Sequence, residues 1–176
     1  MRKLTNDELN RKSIKDFKAS GKAPFLIVLD NVRSLNNIGS IFRTADAFLV
    51  EGIWLCGITA TPPHREIHKT ALGATESVEW KYFENSADAV RELKRNGYSV
   101  IALEQTDESV PLYQFIPESG KRYALVFGHE IKGVSEEVVA LSDLSVEIPQ
   151  YGTKHSFNVA VSAGIVLWEL AGRRKG

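Results

Sequence analysis

Six short runs of apolar, β-branched or aromatic residues punctuate the chain: Phe25–Leu29, Ile53–Cys56, Val78–Phe83, Tyr98–Leu103, Tyr123–Phe127 and Leu144–Ile148. They are continuous rather than alternating, the signature of strands buried on both faces. Helical periodicity fills the gaps. Over 86–96, Ser86 is a candidate cap, Ala89, Val90 and Leu93 share one face, and Gly97 ends the segment. Ser135 opens a second helix over 135–141, with Glu136 and Glu137 in its first turn, where carboxylates suit the helix dipole. A helix beginning near Asn37 would bury Ile38, Ile41, Phe42 and Ala45, and the longest helix is expected over 156–171. Alternation of strands and helices predicts an α/β domain, a mainly parallel sheet with helices on both faces, whose ligands bind outside the carboxyl ends of the strands.

A length of 176 residues, 43% hydrophobic and 25% charged, fits one globular domain and excludes disordered and collagen-like classes. Cys56 is the only cysteine, so no intramolecular disulfide or multi-cysteine zinc site forms, and a cytoplasmic location is expected. The first 22 residues are charged throughout, without the apolar core of a secretory signal. The most apolar later stretch, Val159–Trp168, is half the roughly 20 residues needed to cross a bilayer, so no membrane partner is expected.

The 22 basic and 22 acidic side chains cancel, which by itself speaks against a nucleic-acid partner. Their distribution changes that. Residues 1–22 hold seven Lys/Arg against three acids, Arg173, Arg174 and Lys175 close the chain, and the middle is acidic. The chain divides into a basic N-terminal extension, 1–22, and one domain, 23–176. Basic ends of this kind are either solvated tails or nucleic-acid contacts.

Three polar, glycine-containing segments each follow a predicted strand. In Asp30–Phe48, Arg43 lies six residues after Asn37, placing both within two turns of a helix start. Either Asn37 caps that helix and Arg43 joins a surface ion pair, or the two grip an anion or a ribose. In Phe127–Val134, Gly128 admits close approach to the backbone and Gly133 suits positive φ. Glycines five apart resemble a phosphate loop, but Val134 and Ser135 stand in the places of its Lys and Ser/Thr, so nucleotide hydrolysis is unsupported. Glu130 is a loop carboxylate or a site residue. In Ile148–Leu170, Ser156 is a candidate helix cap with Asn158 in the first turn, and Ala160, Ser162, Ala163 and Gly164 form a run of small residues suited to close packing.

Together the three segments resemble the SpoU/TrmH family of SPOUT RNA methyltransferases, over about residues 24–171. The pattern N-x-G-x-x-x-R-T-A is matched by Asn37-Ile38-Gly39 through Arg43-Thr44-Ala45. G-x-E-x-x-G is matched by Gly128-His129-Glu130 through Gly133, and I-P-x-x-G…S-L-N-V-x-x-A by Ile148-Pro149 through Gly152 and Ser156 through Ala163. Phe157 replaces the usual leucine. The resemblance implies transfer of methyl from S-adenosylmethionine to a ribose 2′-hydroxyl of tRNA or rRNA, a SPOUT fold with a C-terminal trefoil knot over roughly 122–171, and a homodimer with Trp168 in its contact surface. It implies cofactor contacts at Leu103, Gly128, Ile148, Gln150 and Phe157. It places Arg43 at the reacting hydroxyl, oriented with the ribose by Asn37, Glu130, Ser156 and Asn158.

RNA contacts are expected at Arg33, Arg65 and Lys69. His64 and His68 are spaced for one helix face, but two histidines make no zinc site without further ligands, and no metal is expected. Base methylation, a non-catalytic RNA-binding module of the same fold and a flavodoxin-like domain are the competing readings. The paired Asn37/Arg43 and Ser156/Asn158 favour ribose chemistry.

Overall fold

The computed structural model describes residues 1–5 and 7–172. Its strands are β1 (Ala23–Asp30), β2 (Val50–Cys56), β3 (Trp80–Phe83), β4 (Tyr98–Leu103), β5 (Val110–Pro111), β6 (Arg122–Phe127) and β7 (Leu144–Glu147). They form one sheet in the order β3-β2-β1-β6-β4-β7-β5, every neighbouring pair parallel. The helices are α1 (Ile14–Ala19), α2 (Leu35–Ala47), α3 (Arg65–Ala71), α4 (Ala74–Ser77), α5 (Ser86–Arg95), α6 (Glu136–Leu141) and α7 (Val159–Gly172).

Successive residues of β1 point to opposite faces, and both faces are covered. Phe25, Ile27 and Leu29 join Ile38, Ile41 and Phe42 of α2 and Ala163, Val166 and Leu167 of α7 in one core. Leu26 and Val28 join Ala89, Val90 and Leu93 of α5 and Val138 of α6 in the other. The unbroken apolar runs thus reflect two cores, one on each side of the sheet. The pairings Leu29↔Phe127, Ala102↔Val126 and Leu103↔Val146 bring the carboxyl ends of β1, β6, β4 and β7 level with one another.

Several boundaries differ from those read off the sequence, and the reason is usually which polar side chain caps. Helix α2 starts at Leu35, because Ser34 Oγ accepts from Asn37 N at 3.3 Å; Asn37 is therefore inside the first turn, and its side-chain amide is not used in capping. Helix α5 is capped by Asn85, whose Oδ1 accepts from Ala87 N at 2.7 Å, and Ser86 bonds instead to the buried Asp30. Ser156 does not cap α7. Asn158 does, its Oδ1 accepting from Ala160 N at 2.9 Å and Val161 N at 3.3 Å, so the helix begins three residues later than expected. His64 and His68 do not share a helix face, since His64 precedes α3 and caps it through Nδ1, 3.2 Å from Glu66 N. Val78 closes α4 and leaves β3 to begin at Trp80.

Within the basic segment 1–22, α1 packs on the domain through Phe17, which is 4% exposed and covered by Lys22 Nζ at 3.8 Å from the ring centroid. The C-terminal Arg173, Arg174 and Lys175 lie outside the described residues.

Helix α2 is pressed between the sheet and α3 so closely that Gly39 has no room for a side chain. A Cβ there would stand 2.0 Å from Thr70 Oγ1 and 2.3 Å from the carbonyl oxygen of Ile67. The second neighbour is backbone and cannot swing aside. Gly39→Ala is therefore expected to destabilise the protein by about 1–3 kcal/mol through overpacking, outweighing alanine's better helix propensity, and thermal or urea unfolding measures it.

Candidate functional site

The loop leaving β6 closes on itself. His129 N donates to Gly133 O at 3.0 Å and Gly133 N returns a bond to His129 O at 2.8 Å. Gly128 sits under this turn with no space for a Cβ, which would lie 2.1 Å from Gly133 C and from Val134 N. Gly133 has φ +69°, a conformation that favours glycine. The His129 ring accepts from Ile131 N through Nδ1 at 3.0 Å, which places the ring proton on Nε2. Pinned in this way, the loop extends Glu130 across to α2.

Glu130 Oε2 accepts from Arg33 N at 3.0 Å, while Oε1 accepts from Ser34 N at 2.9 Å and from Asn37 Nδ2 at 3.1 Å. Asn37 Oδ1 in turn accepts from Asn158 Nδ2 at 3.0 Å. One line of hydrogen bonds, Glu130 to Asn37 to Asn158, therefore joins segments that are about 90 and 120 residues apart in sequence. Both amides have their orientation settled by these partners, since only the Asn37 nitrogen can donate to the carboxylate.

Beside this line, at the carboxyl ends of β4, β6 and β7, lies a cavity of about 620 Å³, the size that takes a nucleoside-scale ligand. All five candidate cofactor contacts, Leu103, Gly128, Ile148, Gln150 and Phe157, line it, as do Glu130 and Ser156. The wall carries four carboxylates, Glu104, Glu130, Glu136 and Glu147, against one lysine, Lys132, a balance that suits a cationic ligand. Gly128 lines the cavity too, but its bare side is taken up by the backbone of Gly133 and Val134, so the glycine serves the closure of the loop.

Arg43 is not brought to this cavity. It projects from α2 into solvent, and its side chain has no hydrogen-bond or ion-pair partner among the described residues. That removes the surface ion-pair reading within one chain. Arg33 is exposed next to the Glu130 contact and Arg65 is exposed at the start of α3, whereas Lys69 is paired with Glu66 at 2.8 Å. No group of three or more potential metal ligands occurs among the described residues, and none of the described helices is long and apolar enough to cross a membrane.

Residues 24–168 match the model of the SpoU rRNA Methylase family. The chain belongs to that family. It is 34% identical over 151 residues to a 23S rRNA (guanosine-2'-O-)-methyltransferase, RlmB, of Neisseria meningitidis serogroup B, covering 86% of this chain and 59% of that one. It is 30% identical over 172 residues to a tRNA (guanosine(18)-2'-O)-methyltransferase of Aquifex aeolicus, covering 96% of this chain and 78% of that one. Its fold resembles the AdoMet-bound rRNA methyltransferase of Sinorhizobium meliloti with a TM-score of 0.80 at 30% identity, over 90% of this chain and 60% of that one. The chain thus spans about three fifths of the length of some curated relatives that it matches.

Within this SpoU-family site two carboxylates escaped the sequence reading. Glu104, one residue beyond β4, accepts from Val134 N at 3.0 Å and fills the space a Gly133 side chain would take, so it braces the 128–133 loop from below. Its only sequence signal is an acid directly after a strand. Asp30, 1% exposed at the end of β1, accepts from Asn31 Nδ2 at 2.8 Å and Ser135 N at 2.7 Å as well as from Ser86, tying β1 to the starts of α5 and α6. A buried carboxylate persists only when so supplied with donors.

Burial pushes the Glu130 carboxyl up, but the amides of Arg33 and Ser34, with its own amide and Asn37, outweigh burial and hold its pKa below the usual 4.5. A lowered carboxyl pKa stabilises the fold fully above the unfolded-state value, and that contribution fades as pH falls through the folded one. Glu130→Gln is accordingly expected to lower stability at neutral pH, with the gap to the parent protein closing as pH drops below 4.5. Urea midpoints measured across that range test this.

Proposed function

We propose that this chain transfers a methyl group from S-adenosylmethionine to a ribose 2′-hydroxyl of tRNA or rRNA, acting as a homodimer in the cytoplasm. The observation that carries this reading is the line Glu130–Asn37–Asn158, anchored on the Glu130 wall of the acid-walled cavity. The activities for which the Neisseria and Aquifex relatives are named and the AdoMet in the Sinorhizobium structure support it. Cys56 is fully buried and lines neither this cavity nor its smaller neighbour, and burial pushes its thiol up to about 12.

S-adenosylmethionine supplies an already activated methyl on a sulfonium. Leu103, Gly128, Ile148 and Phe157 hold the cofactor mainly through backbone groups, with Gln150 beside them, and the surrounding carboxylates match its positive charge. The remaining task is geometric, worth up to about 7–11 kcal/mol in well-oriented systems. Asn37 and Asn158, locked to Glu130, orient the ribose, and Ser156 adds a hydroxyl at the cavity wall. A guanidinium is always protonated and makes a poor base. Arg43 therefore binds the RNA phosphate and polarises the hydroxyl, whose proton leaves through phosphate or water.

Since Arg43 does not line the cavity of its own chain, it serves the cavity of a second copy. The outward face of α7 suits that assembly. Val161 is 49% and Trp168 72% exposed, and a Cβ on the intervening Gly164 would meet nothing within 4 Å. The small-residue run thus leaves room for a neighbouring helix. Residues 122–171 form the family's trefoil knot, and the RNA follows Arg33 and Arg65 with the basic termini.

Calorimetry with S-adenosylhomocysteine tests cofactor binding, and mapping of 2′-O-methyl sites in RNA from cells with and without the protein tests the reaction. Arg43→Ala is expected to reduce methyl transfer by about 100-fold or more while leaving S-adenosylhomocysteine affinity unchanged; loss of both would make Arg43 a structural residue. Trp168→Glu is expected to convert dimers to folded monomers in sedimentation velocity and to abolish transfer with them.

A further inference from the structure

Sharing the Glu130 loop with the cofactor cavity is a second cavity of about 400 Å³, lined by Arg33, Ser34, Leu35, Asn36 and Glu66 together with the loop residues His129, Glu130 and Ile131. We propose that this cavity is a nucleobase subsite, holding one unstacked base of the substrate RNA beside the reacting ribose. The inference rests on the methyl-transfer reading and adds to it the part of the RNA that the site reads.

Position supports a base. His129, Glu130 and Ile131 line both cavities, so the two spaces adjoin along one loop. Glu130, which faces both, also holds the asparagine that orients the ribose. A base is joined directly to its sugar or follows one phosphate away, so a group occupying the second cavity is within reach of a ribose at the first.

The lining has the three kinds of contact a single-stranded nucleotide needs. Ile131 is 88% exposed yet held on a closed turn by the His129 ring, an ordered apolar surface with nothing lying on it among the described residues. Arg33 is exposed, its guanidinium has no partner among the described residues, and its main chain is fixed by Glu130, so its charge is poised for a phosphate. Glu66 is held in place by Lys69, whose Nζ lies 2.8 and 3.1 Å from its two oxygens. A carboxylate has about four acceptor directions, so it retains acceptors for the edge of a base. Asn36 adds an amide with no side-chain partner among the described residues.

The chemistry favours a base edge rich in N–H donors. A carboxylate accepts and cannot donate. Guanine, with donors at N1 and N2, can meet both Glu66 and the Asn36 amide, whereas uracil offers one donor between two carbonyl oxygens that face the acid. The subsite is therefore expected to prefer guanine over uracil.

The test uses the full chain saturated with S-adenosylhomocysteine and titrated with 5′-GMP or 5′-UMP, binding being followed by ligand-observed NMR. The expected result is tighter binding of 5′-GMP, a loss of about tenfold in Glu66→Gln, a comparable loss in Ile131→Ser at saturating S-adenosylhomocysteine, and unchanged S-adenosylhomocysteine affinity in Glu66→Gln, whose position lines the second cavity and not the first. Equal affinity for the two nucleotides, insensitivity to both substitutions, or displacement of S-adenosylhomocysteine by 5′-GMP would overturn the subsite. Failure of the parent chain to bind S-adenosylhomocysteine would instead overturn the methyl-transfer reading beneath it. Mapping methylated positions produced by the parent and by Glu66→Gln then separates the two sources of the base. Relaxed preference at the methylated nucleotide places its own base in the cavity, relaxed preference one position away places a neighbour there, and no change at either refutes the proposal.

Discussion

The carboxylate of Glu130 is the point on which the site depends. Its two oxygens take the amides of Arg33 and Ser34 and the side chain of Asn37, and through Asn37 they reach Asn158. Each of these groups belongs to a loop or helix end whose backbone donors lack helical partners. A single acid satisfies several of them at once and thereby sets the distance between the β6 loop, the start of α2 and the start of α7. The cofactor cavity and the smaller cavity beyond it share Glu130 as a wall for the same reason.

Support for Glu130 is passed down through the loop that carries it. Gly128 and Gly133 leave no room for side chains, Glu104 takes up the space beneath, and the ring of His129 holds the tip. These are rigid, short-range contacts, so they preorganise the site before any ligand arrives, and the cost is met in folding rather than in catalysis. Charge is partitioned as well. Carboxylates gather around the larger cavity, while Arg33 and Arg43, without side-chain partners among the described residues, stand outside it. Such a partition suits the cationic cofactor and anionic RNA of the proposed reaction, and a net charge of zero conceals it.

Much of the site was legible because its motifs combine residue types that loops rarely need together. Asn37, Glu130 and Asn158 were singled out from their positions after strands, and they meet in space. The positions that the family resemblance marks for cofactor contact also come together, since Leu103, Gly128 and Ile148 lie at strand ends that the sheet aligns around one cavity. Capping was not. Ser34, Asn85 and Asn158 win over Asn37, Ser86 and Ser156 because a cap is decided by where the neighbouring side chains go. Ser86 is drawn to Asp30 and Asn37 to Glu130, and both partners are distant in sequence. Glu104 and Asp30 were invisible for a related reason. An acid at a strand end has no local pattern distinguishing a solvated carboxylate from a brace.

The sequence by itself determined the parallel α/β architecture, because a strand buried on two faces must be apolar at every position, and that requirement is written locally. It determined the family in the same way, through short motifs that each serve one turn or helix start. Only the tertiary structure decided which polar groups face one another, since hydrogen bonds spanning 90 or more residues leave no periodicity along the chain. It also decided that Gly39 and Gly128 answer to packing rather than to turn formation, and that Arg43 points away from the cavity formed by its own chain.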